Sequence, residues 1–171
     1  INGKDRLGWV FVTRGNQDLL LVTASGQAIR FSEEDVRSMG LPAAGVGGVK
    51  LKKGDKVVYA AAVDPSGVLI TLSTNGFAKY SPLSEYPSQG RNGGGIVTHK
   101  LTDRTGPLCA ALLTGVGLGS ETLLAVSRKG VPKLVAFTDI PAMGRGVQGK
   151  VVLETTANDA VVQLQRLLDS N

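Results

Sequence analysis

The chain has 171 residues, 42% of them hydrophobic and 19% charged, which is enough to build one well-buried body. Nineteen Lys and Arg against fourteen Asp and Glu leave a net charge of +5, a modest bias toward a polyanionic partner. A single cysteine excludes an internal disulfide, and no apolar run is long enough to span a bilayer, so the expectation is a soluble, cytoplasmic body with no membrane partner.

In chain order, the first element is GWVFVT, over Gly8 to Thr13, a short apolar run that predicts a strand. LLLVTASGQAIRF follows from Leu19 to Phe31, two strands about a turn at Ser25-Gly26. Next, SEEDVRSMG from Ser32 to Gly40 offers a serine cap and acids in its first turn, which predicts one helical turn. A glycine-rich loop, AAGVGGVKL, then leads through Gly48 to the strand KVVYAAAV.

The same order recurs twice. VLITLSTNGFAKY, Val68 to Tyr80, turns at Asn75-Gly76 and is followed by GRNGGGIV, ending its glycines at Gly95, and by PLCAALLTG. TLLAVSRKGVPKLV, Thr122 to Val135, turns at Lys129-Gly130 and is followed by GRGVQGKVV, ending at Gly149, and by AVVQLQRL. Anchored on these glycines, the turn-to-loop intervals are 22, 19 and 19 residues. The final NDAVVQLQRLLDSN has helix-like apolar spacing, but its match to the earlier strands makes at least its first half a strand. The chain reads as three repeats, over about 19–63, 68–116 and 122–167, with a leading strand at 8–13. Units of this period with about four strands each predict an all-β, propeller-like disc in which each small sheet packs on the next.

Three strings carry a family resemblance: FSEEDVRSMGLPAAGVGGVKLKKGDKVV, NGFAKYSPLSEYPSQGRNGGGIVTHKLTDRTG and GVQGKVVLETTANDAVVQLQRL. Together they resemble the C-terminal domain of the DNA gyrase A subunit in its later blades, with the topoisomerase IV A subunit close behind. The resemblance implies a β-pinwheel whose blades exchange strands, here as one partial disc over 1–171. It also implies sequence-independent binding and wrapping of duplex DNA on a basic rim. The partners it implies are duplex DNA, the rest of the gyrase A subunit, and the gyrase B subunit. The breaking and rejoining of DNA then lie in another part of the parent topoisomerase, so this chain carries no catalytic residue. The family's Gln-Arg-Arg-Gly-Gly-Lys-Gly box has no intact copy: the Gln89 loop keeps Gln89, Arg91, Gly93 and Gly95, and the Met143 loop keeps Arg145, Gly146 and Gly149.

Phosphate contact needs cations displayed at recurring positions, with glycines that let the backbone approach. The candidates are Arg30, Lys50, Lys79, Arg91, Lys100, Arg128, Lys133, Arg145 and Lys150, with Lys52 and Lys53 beside them. Arg30 lies four residues after its turn glycine while Lys79 and Lys133 lie three after theirs, so alternation puts them on opposite faces. Two other motifs are decoys. Gly144 to Val151 resembles a phosphate loop and a dinucleotide fingerprint, but Val151 replaces the Ser/Thr and a strand follows instead of a helix. His99 has no partner at catalytic spacing, and no cluster has metal-ligand spacing, so no cofactor or metal is expected. A competing reading is a protein-docking module, and unpaired strand edges would admit self-association.

Overall fold

The computed structural model describes residues 6–115 and 121–167. Residue 116, the expected end of the second repeat, and residues 168–171 lie outside them. Each repeat opens with a hairpin: β1 (Asp18–Thr23) with β2 (Gln27–Ser32), β4 (Val68–Ser73) with β5 (Phe77–Pro82), and β8 (Thr122–Ser127) with β9 (Pro132–Ala136). Each closes with an inner strand, β3 (Val57–Ala62), β7 (Leu108–Thr114) or β11 (Val161–Arg166), which pairs antiparallel with the first strand of its own hairpin. Two-residue strands in the glycine loops, β6 (Ile96–Val97) and β10 (Lys150–Val151), pair instead with the hairpin of the preceding repeat. The sheets are therefore β3-β1-β2-β6, β10-β5-β4-β7 and β11-β8-β9. This is the strand exchange of a β-pinwheel.

The turn glycines Gly26, Gly76 and Gly130 all have φ near +80°, a conformation that glycine adopts without a Cβ clash. After each hairpin comes one turn of 3-10 helix, at Glu33–Asp35, Leu83–Glu85 and Phe137–Asp139. Only the first is legible in the sequence, because Ser32 caps it by accepting from the Glu34 amide, whereas Pro82 and Ala136 make no side-chain cap. The structure also corrects the repeat register. The loop glycine with positive φ in the first repeat is Gly45, not Gly48, and Gly45, Gly95 and Gly149 each follow their turn glycine by 19 residues.

Two apolar cores lie between the sheets. Leu20, Val22, Leu69, Leu83 and Leu108 fill the first, and Ile70, Leu72, Leu123, Val135 and Val161 fill the second. The middle sheet is thus covered on both faces, which is why β4 is buried at five consecutive positions while β11 alternates little and stays largely exposed. Each fully buried Leu or Ile contributes about 1.5–3 kcal/mol. The segment Gly8 to Thr13, predicted as a strand, forms none. It has the composition of an inner strand but, among the described residues, no hairpin to pair with, and Val10 and Val12 stand in solvent. Among the described residues, no helix is long and apolar enough to cross a membrane.

Candidate nucleic-acid interface

The glycine loops of successive repeats stack on one another through a recurring pair of contacts. Lys50 donates its amide to the Gly93 carbonyl at 2.9 Å, and Lys100 donates its own to Val147 at 3.1 Å. The loop arginine closes each stack, because Arg91 Nη1 donates to the Gly47 carbonyl and Arg145 Nη1 donates to Val97 at 2.8 Å. Arg91 and Arg145 both precede their loop glycine by four residues, so the repeat dictates the contact. The result is two equivalent cation pairs, Lys50 with Arg91 and Lys100 with Arg145. The lysines are exposed and the arginines half-buried.

The third repeat departs from this pattern. Its counterpart of Lys50 and Lys100 is Glu154, while exposed Lys150 takes the place held by Val46 and Ile96. Lys133 donates its ammonium to the Glu154 carbonyl, so it stays beside this loop and half-exposed. Arg128 is exposed at the β8–β9 turn, where the other repeats hold Ala24 and Thr74, and it adds a charge with no counterpart. Lys52 and Lys53 are exposed on the loop before β3.

Two of the predicted contacts are not on this surface. Lys79 is 0% exposed: β5 turns it inward, into the place that Ile29 fills in the first repeat. Its ammonium donates to Ser81 Oγ at 2.7 Å, and Ser81 donates on to the Met143 carbonyl. Burial pushes the Lys79 ammonium down to about 8, with Glu85 opposing the shift and Arg145 adding to it. Arg30 faces the other way, as alternation requires, but its Nε pairs with Asp18 at 2.6 Å and its Nη1 donates to the carbonyls of Tyr86 and Leu83. Its charge ties the first hairpin to the second repeat.

Between the sheets, Lys79 is part of a buried polar seam. His99 Nδ1 meets Thr71 Oγ1 at 2.9 Å, and the Tyr86 hydroxyl meets Thr98 Oγ1 at 2.6 Å. Burial, and then the Lys79 charge, push the His99 imidazole down to about 4, so it is neutral at pH 7. The Cys109 thiol is pushed up to about 12 by burial, which keeps it protonated at neutral pH. No group of three metal-ligating side chains occurs among the described residues.

The family model described as DNA gyrase C-terminal domain, beta-propeller matches residues 17–64, 67–106 and 121–167. The chain belongs to this family. The DNA gyrase A subunit of Haloquadratum walsbyi is 37% identical over 166 residues, covering 96% of this chain and 19% of that protein. The DNA gyrase A subunit of Escherichia coli K12 is 30% identical over 169 residues, covering 99% of this chain and 19% of that protein. The chain thus spans about a fifth of the length of these relatives. A solved DNA gyrase A C-terminal domain matches with TM-score 0.79 and 24% identity, over 90% of this chain and 51% of that one. A solved C-terminal domain of DNA topoisomerase IV matches with TM-score 0.80 and 26% identity, over 90% and 47%.

Within the gyrase fold, two elements of this surface escape sequence reasoning. One is Glu85, whose carboxylate accepts from the Arg145 amide at 2.7 Å and anchors the third loop on the second repeat. The other is the loop stacking itself, which does leave a signal: an arginine four residues before a glycine, in two loops of equal interval from their turns.

Proposed function

We propose that this chain is a DNA-binding part of a gyrase A subunit, which holds duplex DNA by its phosphates and bends it along the stacked loops. The carrying observation is the repetition of one cation pair, Lys50 with Arg91 and then Lys100 with Arg145, on loops joined by the same backbone contacts. A phosphate backbone is itself a periodic row of charge, and cations repeated by blade match it without reading bases. Lys150, Lys133 and Arg128 extend the charge onto the third repeat. Lys79 and Arg30 are left out of the contact set, the first by burial and the second by its commitment to Asp18.

In this reading the chain supplies shape and charge while the cleavage chemistry belongs to the rest of the parent topoisomerase. Bending DNA around the disc would present a crossing of fixed hand to that machinery, which is how wrapping directs the sign of supercoiling. A cytoplasmic site of action follows from the substrate.

The test is binding to a fluorescent duplex of arbitrary sequence across a salt series. If Lys50, Arg91, Lys100, Arg145 and Lys150 each neutralise one phosphate, log affinity against log salt should have a slope of about −4 to −5. Affinity should change little with sequence. No binding at low salt, or strong sequence preference, would overturn the proposal.

A further inference from the structure

Among the described residues, asparagine precedes glycine twice, at Asn75-Gly76 and Asn92-Gly93, and the fold treats the two pairs differently. Asn75 is half-buried and held at both ends of its side chain. Its Nδ2 donates to the Arg104 carbonyl at 2.9 Å, and its Oδ1 accepts from Thr74 Oγ1 at 3.4 Å. The Gly76 amide is engaged as well, donating to the Ser73 carbonyl at 3.0 Å. Gly76 is also closely covered, since a Cβ there would come within 1.8 Å of the Leu153 carbonyl.

Asn92 is exposed on the second glycine loop and lacks these restraints. Among the described residues, neither its side-chain amide nor the Gly93 N–H has a hydrogen-bond partner. Its own amide donates to the Gly48 carbonyl at 2.9 Å, and its φ is +63°, a left-handed conformation that asparagine tolerates better than most residues. Gly93 and Gly94 follow, so the backbone after it rotates with little steric resistance. Asn158 offers a comparison within the same molecule. It is exposed and has the same φ of 63°, but Asp159 follows it, with a side chain that crowds the backbone and an amide that donates to the Thr156 carbonyl at 3.1 Å.

An unhindered, unbonded amide directly after an asparagine is a nucleophile beside an electrophile. The Gly93 nitrogen gives its proton to hydroxide and bonds to Asn92 Cγ, and the side-chain nitrogen leaves as ammonia. Water then opens the cyclic imide at either carbonyl, leaving aspartate or isoaspartate with one new carboxylate and no change of oxidation state. We propose that Asn92 is a deamidation site, at which the middle glycine loop gains a negative charge by reaction with water while Asn75 is spared.

The new charge falls inside a cation pair. Arg91 Nη1 donates to the Gly47 carbonyl, and a Cβ on Gly47 would meet Asn92 Oδ1 at 2.8 Å, so the two side chains converge on one glycine. A carboxylate at position 92 therefore draws the Arg91 guanidinium to itself and away from a phosphate. This effect on binding rests on the DNA-binding reading above, whereas the modification itself does not.

The experiment is peptide mapping by mass spectrometry of the folded chain over a time course in mildly alkaline buffer. Asn92 should convert on the order of tenfold or more faster than Asn75 and Asn158, because only its reaction needs no local unfolding. In urea the advantage over Asn75 should disappear, since both are then free Asn-Gly pairs. Gly93→Ala adds a Cβ that makes only an ordinary contact with Ile29 Cδ1 at 3.5 Å, so it should fold. The methyl group restricts the backbone and should slow conversion at Asn92 on the order of tenfold. An Asn92 that keeps its amide, or converts no faster than Asn75 in the folded chain, would overturn the proposal, as would an advantage that persists in urea. The effect on binding is read by comparing Asn92→Asp with the parent in the duplex salt series, where the slope should fall by about 1. Equal slopes and affinities, in a parent that binds, would overturn that effect. A parent that binds no duplex would overturn the DNA-binding reading, and the mass spectra would still decide the modification.

Discussion

Replacing Lys79 with methionine tests whether the buried ammonium is a burden on the fold or a support. Lys79 is completely buried, and burial holds its folded-state value at about 8 against the ordinary 10.5. At about 1.4 kcal/mol per decade, that gap means the charged form weakens the fold by about 3 kcal/mol at neutral pH. The unfolded chain binds the proton more tightly, so stability should climb as pH rises from about 8 to 10.5, and stay level below 8 where both states are protonated. Methionine removes the titration and one hydrogen bond to Ser81, a loss of about 1 kcal/mol. Its apolar stem suits a place that Ile29 fills in the first repeat. Lys79→Met should therefore be about 2 kcal/mol more stable than the parent at pH 7, with the advantage vanishing, then reversing to about −1 kcal/mol, above pH 10.5. Urea unfolding of both proteins at pH 7, 9 and 10.5 measures this, and taking the difference cancels the titration of shared groups. A variant less stable than the parent at pH 7, or a difference that does not change with pH, would refute the reasoning. The first result would mean that the Ser81–Met143 relay and Glu85 hold Lys79 in a favourable site.

Acid should weaken the same seam. His99 is held neutral, at about 4 against the ordinary 6.5, so its contribution is present above pH 6.5 and is lost as pH falls through 4, about 3 kcal/mol in all; a His99→Gln variant should flatten that part of the pH–stability curve. Gly76→Ala and Gly130→Ala share the same φ, so each bears about 1 kcal/mol for the left-handed backbone. Only Gly76 would strike the Leu153 carbonyl, and its variant should lose about 3 kcal/mol or more and expose the Val152 amide to hydrogen exchange. Lys100→Ala should reduce the salt slope of DNA binding by about 1 and leave unfolding unchanged, because its side chain is exposed. Arg145→Ala should reduce the slope and also destabilise by about 1 kcal/mol, since its guanidinium closes the loop stack on Val97.

Local chemistry makes much of this fold legible. Asn75-Gly76 and Ser25-Gly26 specify their turns by what a glycine permits, and the alternating apolar runs beside them specify strands. The three hairpins are therefore readable. Gly45 is masked because AAGVGGVKL has several glycines; its 19-residue interval from Gly26 matches the other repeats, but its positive φ is what settles the choice among them. The run Gly8 to Thr13 misleads for the opposite reason. Its composition suits a strand, but a strand exists only where a neighbouring edge completes its hydrogen bonds.

The repeat, the turns, the strand content and the excess of positive charge are properties of the sequence alone, because each depends on residues close together in the chain. Tertiary structure decides which hairpin each loop strand joins and which cations meet solvent. Lys79 and Lys133 occupy equivalent positions, yet the first is sealed between two sheets while the second, on the third sheet, is half-exposed. Burial is set by what packs over a residue from elsewhere in the chain, and neither residue carries that in its own neighbourhood.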